Sequence, residues 1–286
     1  MWPLLLIAAL GRMPCLPDEL GHVPGLDPTP PTEAATLPTP VAIAVRPSRP
    51  APRMAPVFTA FETARYSVNY GVFGQLGEIT IALAPTAAST VRVTGSGQGS
   101  FLGLGAIQKD LDGEFHPMSG GSRRWTTTRH QGGKVITDSV EQATPGSVAI
   151  LRHRSDRADE ASTFSRQRPV EDPIGFLLLL RSTPTKVPRV IEVLDGRALW
   201  IMTMATPVIE TLADRGGERA WRFDGTAEPI FWNGQPDAER GRRRFSLWVA
   251  DDPTRTPLRM RMPTGLGDVR VDLISVERPA TIAAGH

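Results

Sequence analysis

The sequence predicts a mainly β protein: a single, highly curved antiparallel sheet, open or rolled into a partial barrel, with one packed helix. Two observations lead to this prediction. Apolar and polar residues alternate through most of residues 58–280, which is the two-residue period of half-buried strands. Gly and Pro separate the alternating runs at intervals typical of sandwiches and barrels, and about ten to eleven runs qualify as strands.

The first strand candidate shows the pattern most clearly. In residues 62–70, Tyr66, Val68 and Tyr70 share one face and polar residues occupy the other. Because turn residues separate this run from the next two, the opening is predicted to be a meander. Later strand candidates include those that begin at Gly77, Ser89, Arg123, Lys134, Ser147, Arg189, Ala198, Ala220 and Asp268.

One segment, residues 172–181, follows a helical period instead. Asp172 is a residue type that caps helices and Pro173 suits a first turn. Ile174, Leu177 and Leu178 then recur at helical spacing, which predicts an amphipathic helix packed on the sheet. A fully buried strand is the alternative.

The N-terminal part divides into two segments before the β-rich domain of residues 58–280. Residues 1–13 contain a short apolar run, which we interpret as a remnant of a secretion signal or membrane anchor, with an accidental apolar start as the alternative. Residues 14–57 are rich in Pro and are predicted to form a disordered, extended tether. A domain held away from a surface would have this organisation.

Composition excludes some classes of function. The net charge is +2 with a pI of 9.0, and almost all cations are Arg, which does not favour a nucleic-acid partner. The basic cluster at residues 240–244 could contact nucleic acid or anionic lipid, but a solubilising turn is the simpler interpretation. Cys15 is the sole cysteine, so neither an internal disulfide nor a thiolate metal cluster can form.

No motif for catalysis or for a cofactor emerges, and we expect no catalytic, cofactor-binding or metal-binding residues. The five His residues show no zinc spacing, and no Ser lies in a hydrolase elbow. The acidic run Asp110, Asp112 and Glu114 with His116 could gather a cation, but a solvated loop between strands is the favoured interpretation. The Gly-rich residues 95–105 lack the features of a phosphate loop and favour a flexible or bulged strand.

Large aromatic side chains concentrate in the strand and helix candidates. They are first of all expected to form the core. On the concave side of a curved sheet, the same side chains could line a cavity for an apolar ligand. The residues predicted to form such a lining are Trp125, Phe176, Trp200, Trp221 and Trp248.

A family resemblance adds to this interpretation. The motifs YSVNYGVFGQLGEITI, WTTTR, DPIGFLLLLRS, RRFSLWVADDPTRTPLRMRM and GDVRVDLISVE occur in an order that resembles the uncharacterised bacterial family DUF3108. The resemblance extends from Tyr66 to Glu277. It implies an exported or envelope-associated protein whose open, curved sheet wraps a helix, similar to the LolA/LolB-like lipoprotein carriers of the envelope. It implies no catalytic residues.

Three functions remain open at this point. The leading hypothesis is a non-enzymatic protein of the periplasm or cell envelope that binds a lipid-like apolar ligand or an envelope protein on its curved sheet, with membrane association through the N-terminus. A structural module that recruits a partner by a sheet edge or by the Pro-rich segment is the second. An enzyme acting on a cell-wall or lipid substrate is the third.

Overall fold

The structure is a computed structural model that describes residues 58, 61–86, 90–101, 105–117, 121–143, 146–182, 189–264 and 267–278. The predicted apolar N-terminus, the predicted tether and Cys15 lie outside the described residues. The element bounds in the first half are β1 Glu62–Tyr70, β2 Gln75–Pro85, β3 Val91–Phe101, β4 Gly105–Phe115, β5 Ser122–Gln131, β6 Lys134–Ala143, β7 Ser147–Arg154, β8 Arg157–Ser165 and β9 Val170–Glu171.

The second half contains a helix and seven more strands. Their bounds are α1 Pro173–Ser182, β10 Arg189–Asp195, β11 Ala198–Met204, β12 Val208–Leu212, β13 Glu218–Ile230, β14 Arg243–Ala250, β15 Pro257–Thr264 and β16 Gly267–Glu277. Two single-turn 3-10 helices, Gly71–Phe73 and Ala213–Arg215, connect strands.

All sixteen strands form one open sheet, in the order β8-β7-β6-β5-β4-β3-β2-β1-β16-β15-β14-β13-β11-β10-β9, with β12 beside β13. Almost every pair is antiparallel and joined by a short hairpin, but β1 pairs with β16 and so joins the two ends of the described chain. One pair, β9 and β10, is parallel. The predicted fold class, a curved open sheet with one helix, is confirmed.

The structure contains more strands than the ten to eleven that the sequence predicts. Most of the additional strands lack an apolar alternation: β4 carries Gly and charged residues, and most of β8 is exposed on both faces. Backbone pairing with neighbours, rather than burial of their own side chains, holds such strands in the sheet. The Gly-rich segment predicted as a strand accordingly begins within β3.

The sheet is rolled so that β10 and β11 are covered on both faces. Val193 and Trp200 face the main core, which also contains α1, whereas their neighbours Leu194 and Leu199 pack against Trp125 and the inner side of β5 to β8. Burial on both faces explains why β11 is almost continuously apolar, while the buried Glu192 and Asp195 of β10 are ion-paired.

Helix α1 lies inside the roll, and the prediction of a helix at residues 172–181 is confirmed. The Asp172 carboxylate caps it by accepting from the backbone N–H groups of Ile174 and Gly175 at 2.7 and 2.9 Å. Every described side chain of the helix is buried except that of Leu179, which is half-buried. The amphipathic character predicted for this helix is wrong, because a helix that is buried around its circumference occupies the interior instead of presenting a polar face to solvent.

In the described part of the chain, the two ends of the sheet, near β8 and near β9–β10, are held together by side-chain contacts and not by β-ladder hydrogen bonds. Arg166, just after β8, makes a bidentate pair with Glu192 of β10 at 2.6 and 2.8 Å. Phe164 of β8 stacks on Trp232 with ring centroids 5.3 Å apart. These contacts hold the inner layer of the roll against the outer one.

Candidate ligand-binding site

A small apolar pocket separates α1 from the middle of the sheet. It has a volume of about 30 Å³, close to the space of one water molecule. Leu177 faces it from the helix, and the sheet contributes Tyr66, Ile79, Met260 and Val271 from four different strands. Among the described residues, α1 therefore leaves only a small space against this part of the sheet.

Four methionines of β11 and β15 belong to the main core around the helix, and one of them, Met260, lines the pocket wall. Met202, Met204, Met260 and Met262 are all buried in the main core. Met side chains are unbranched and polarizable, so they adapt to differently shaped neighbours more readily than Leu or Ile. This wall is suited to repacking against a different apolar group.

The C-terminal end of α1 is anchored by an ion cluster. Arg181 donates two hydrogen bonds to the Glu62 carboxylate of β1, at 2.8 and 3.1 Å, and a third to the carbonyl oxygen of Thr254. Arg278 donates to the same carboxylate at 2.8 Å. Arg181 also lies 5.3 Å from the ring centroid of Phe58, so the last turn is tied to several segments at once.

The N-terminal end of α1 is anchored by carboxyl groups instead. The backbone N–H of Ser122 donates to Glu171 at 2.8 Å, and the Ser122 hydroxyl hydrogen-bonds the capping carboxylate of Asp172. Gly121 and Gly175 make room for this cluster, because a Cβ on Gly175 would lie 2.2 Å from Ser122 Oγ. The cluster therefore needs glycine at positions 121 and 175 and a small hydroxyl residue at position 122, because larger side chains would clash with Glu171 or Asp172.

The two anchors shift carboxyl pKa values in opposite directions. Burial raises the pKa of Glu171 to about 7 and also raises that of Asp172, which lies near the negative charge of Asp195. Burial likewise opposes ionisation of Glu62, but hydrogen bonds and charge from Arg181 and Arg278 outweigh it and lower the Glu62 pKa. One end of the helix thus favours a protonated acid and the other an ionised one.

A second set of buried charges lies where the roll overlaps itself. Lys109 of β4 pairs with Asp195 at the end of β10, and both side chains are buried. Arg152 holds Asp138 at 2.5 and 2.7 Å, next to Gly196. The Lys109–Asp195 pair crosses between the layers of the roll, whereas Arg152 and Asp138 join the neighbouring strands β7 and β6 and lie against the β10–β11 hairpin at Gly196.

The structure distributes the predicted apolar lining over three clusters. Phe176 and Trp200 are in the main core around α1, and Trp221 packs against it half-buried. Trp125 lies in the second cluster, between the layers of the roll, and Trp248 lies in a third on the opposite face of β14. Only some of the five therefore share a cluster, and their role as a ligand lining stays a prediction.

Two of these tryptophans carry unsatisfied donors. The indole N–H groups of Trp125 and Trp200 are buried and have no hydrogen-bond partner among the described residues. Burying a donor without a partner costs about 1–3 kcal/mol. An oxygen-bearing ligand that reached either indole would recover this cost.

The other sequence features that we considered have structural partners. Asp112 is bidentate with Arg92 at 2.9 and 3.1 Å, and Glu114 accepts from Thr90, within strands rather than in a loop. No group of three or more His, Cys, Asp or Glu in the described part of the chain is placed to hold a metal ion. In the basic cluster, Arg240 pairs with Asp237 and Arg242 donates to Thr226.

A larger, polar cleft opens at the hairpin ends of β2 to β5, with a volume of about 570 Å³. Its lining includes Glu78, Gln98, Gln108, His130, Gly77 and Gly99. Sequence reasoning missed this cleft, because Gln in exposed strands has no distinctive pattern. Sequence reasoning also missed Ser122 and Glu171. The only signal for them in the sequence is weak: small residues at 121 and 122, and two acidic residues just before the helix.

The fold and the buried anchors define a class of β-rich protein in which a rolled, open sheet encloses one helix. The chain belongs to the family described as protein of unknown function (DUF3108), whose profile matches residues 65–274, and the resemblance seen in the sequence is confirmed. No curated protein matches the sequence. None of the helices in the described ranges is long and apolar enough to cross a membrane.

Several solved structures align with most of this chain at low sequence identity and with TM-scores below 0.5. A β-barrel-like protein of the family DUF1849 from Brucella abortus aligns with a TM-score of 0.49 and 10% identity, over 78% of this chain and 99% of that chain. LprF from Mycobacterium bovis aligns with a TM-score of 0.29 and 12% identity, over 80% and 90% of the two chains.

Proposed function

We propose that this protein is a non-enzymatic binding protein of the periplasm or cell envelope, and that it holds a lipid-like apolar ligand between the concave sheet and α1. The observation that supports this most is the helix itself. It is an apolar insert whose described side chains are buried except for the half-buried Leu179, and its side-chain polar contacts with the described residues concentrate at its two ends. An envelope protein bound on the same sheet is the alternative partner.

Ligand binding on this wall requires α1 to move. The present pocket of about 30 Å³ is too small for an acyl chain. A 16-carbon chain gains on the order of 10 kcal/mol on full burial, at roughly 0.8 kcal/mol per CH₂. That gain exceeds the ~3–5 kcal/mol expected for breaking a buried ion pair such as Arg181–Glu62. Moving α1 also exposes its own buried side chains, such as Phe176 and Leu178, at about 1.5–3 kcal/mol each. An acyl chain can therefore occupy the wall only if the displaced helix keeps these side chains packed against the bound chain.

The polar clusters support binding rather than catalysis. Ser122 is fully buried beside Glu171 and Asp172, so no substrate reaches its hydroxyl group. His153 pairs with Asp159 on the exposed surface, far in sequence from any buried nucleophile. The apolar run of residues 1–13 and the Pro-rich residues 14–57 support a location at the envelope, with the N-terminus near a membrane.

Native mass spectrometry of the full chain with palmitate tests the proposal. We expect one palmitate per chain for the wild type and at least ~10-fold weaker binding for Leu177→Trp, which fills the pocket. Leu151→Trp, on an exposed position of β7, is the matched control and should bind as the wild type does. Wild-type protein that binds no palmitate would contradict the proposal.

A further inference from the structure

The polar cleft at the ends of β2 to β5 is unlike the interior of the roll. Four of its lining residues, Glu78, Gln98, Gln108 and His130, are directly opposite one another on consecutive strands. Residues opposite each other in antiparallel strands project from the same face of the sheet. We call these four residues the polar row.

The polar row has a regular spacing. Neighbouring strands lie about 4.8 Å apart, so the row extends roughly 14 Å across four strands. Gly77 and Gly99, also opposite each other, lie next to Glu78 and Gln98 along β2 and β3 and contribute backbone without side chains to the lining of the cleft. The cleft volume of about 570 Å³ lies within the range of small-molecule sites.

The side chains of the row are available to a ligand. All four are exposed, and in the described part of the chain neither Gln98 nor His130 has a side-chain hydrogen bond to the protein. Gln108 donates to Asp110 and retains its carbonyl oxygen as an acceptor. Each Gln amide both donates and accepts, and Glu78 adds a charged acceptor.

This chemistry selects among ligand classes. No Arg or Lys is among the described lining residues, which disfavours phosphate and other anions. No Phe, Tyr or Trp is among the described lining residues either, which disfavours nucleobases. The aliphatic side chains described there are those of Leu76, Ala106 and Ile107, and so small an apolar surface disfavours lipids. Evenly spaced neutral amides suit a ligand with repeated hydroxyl groups.

The geometry points to a second binding site, in which the polar row hydrogen-bonds the hydroxyl groups of a neutral oligosaccharide laid across β2 to β5. The saccharide chain runs perpendicular to the strands, so that successive sugar units meet successive side chains. This site is separate from the wall that faces α1, and it does not depend on the apolar ligand proposed above.

NMR titration of the ¹⁵N-labelled full chain with maltohexaose, cellohexaose and chitohexaose tests the inference. We expect at least one of the three to produce saturable shifts of the Gln98 and Gln108 side-chain amides. The double variant Gln98→Leu/Gln108→Leu should weaken that binding about tenfold or more, because each lost hydrogen bond contributes about 1 kcal/mol. Both positions are exposed, so the variant should remain folded.

Gln167→Leu, the same change at an exposed position between β8 and β9, is the control and should bind as the wild type does. No saturable shift with any of the three saccharides at tens of millimolar would overturn the inference. Equal binding by the double variant would also overturn it, as would shifts produced by inorganic phosphate in place of the saccharides. Palmitate binding should be the same in the double variant, which separates this test from that of the apolar site.

Discussion

The two ends of α1 are both held by buried carboxyl groups, but only the C-terminal end supplies a counter-charge. There, Glu62 lies between Arg181 and Arg278 and its pKa is lowered. At the N-terminal end, Glu171 is hydrogen-bonded by neutral Ser122 and its pKa is raised. Burial is the largest influence on the carboxyl pKa at both ends, so the presence or absence of a neighbouring cation decides whether that pKa is lowered or raised.

Because their carboxyl pKa values are shifted in opposite directions, the two anchors should respond to pH in opposite ways. The C-terminal anchor is an ion pair that stays intact across neutral pH and fails only in acid. The N-terminal anchor is strongest while Glu171 is protonated and weakens as this group ionises beside Asp172, with Asp195 also near. The N-terminal end of the helix should therefore be the first to loosen as pH rises.

The largest expected effect is from removing the cation of the C-terminal anchor. Arg181→Met leaves the buried Glu62 with Arg278 alone and should lower the free energy of unfolding by ~3–5 kcal/mol at pH 7, measured by urea denaturation. The double variant Arg181→Met/Glu62→Met is the control and should regain part of this loss, since neither charge is then left unpaired. A loss below ~1 kcal/mol in the single variant would show that the pair does not anchor the helix.

The next effect concerns pH at the N-terminal anchor. Because the folded-state pKa of Glu171, about 7, exceeds its ordinary 4.5, its contribution to stability is complete below about pH 4.5 and is lost as pH rises to about 7. The loss is on the order of 3 kcal/mol at 1.36 kcal/mol per pKa unit. Glu171→Gln should remove this part of the decline in unfolding curves recorded from pH 4.5 to 8.

The decline in unfolding free energy with rising pH that remains in Glu171→Gln should come from Asp172. Asp172 also has a raised pKa and should contribute with the same sign. Glu62, whose pKa is lowered, acts in the opposite sense, and its contribution is lost as pH falls below 4.5. An unchanged pH profile in Glu171→Gln would refute the assignment of the shifted group.

A smaller effect should follow from crowding the N-terminal cluster. Gly175→Ala places a Cβ 2.2 Å from Ser122 Oγ and 2.8 Å from Asp172 Oδ2 and should cost ~1–3 kcal/mol in unfolding free energy. Ser122→Ala removes the nearest atom. If the two changes combined cost less than their sum, the contact is confirmed; strict additivity would contradict it.

The smallest effect should come from the outer cation of the C-terminal anchor. Arg278 is partly exposed and shares Glu62 with Arg181, so Arg278→Ala should cost ~1 kcal/mol or less. The measurement is again urea denaturation at pH 7. A cost equal to that of Arg181→Met would mean that the two arginines contribute equally despite their different burial.

The sequence predicted the parts of the fold that depend on local pattern. The alternation in residues 62–70 and the cap at Asp172 both correspond to elements of the structure. Local pattern did not reveal that β10 and β11 lie inside the roll, because an apolar run is compatible with several buried positions. Strands such as β8 were missed because their side chains do not alternate between apolar and polar, so the sequence carries no strand signal there.

The candidate sites were less predictable than the fold. Glu171 and Ser122 are 49 positions apart, and Arg181 and Glu62 are 119 apart, so their contacts depend on how the sheet rolls. The predicted aromatic lining was chosen by residue type alone, and the structure divides it among three clusters. Residue type identifies candidates for burial, whereas the topology decides which of them meet.

Hydrogen exchange of α1 in the full chain, with and without palmitate, tests most directly whether the helix occupies the space of an apolar ligand. If it does, palmitate should accelerate exchange of the amides in residues 173–182 while those of β1 and β16 remain protected. Unchanged or slower exchange in α1, with palmitate bound, would contradict this account.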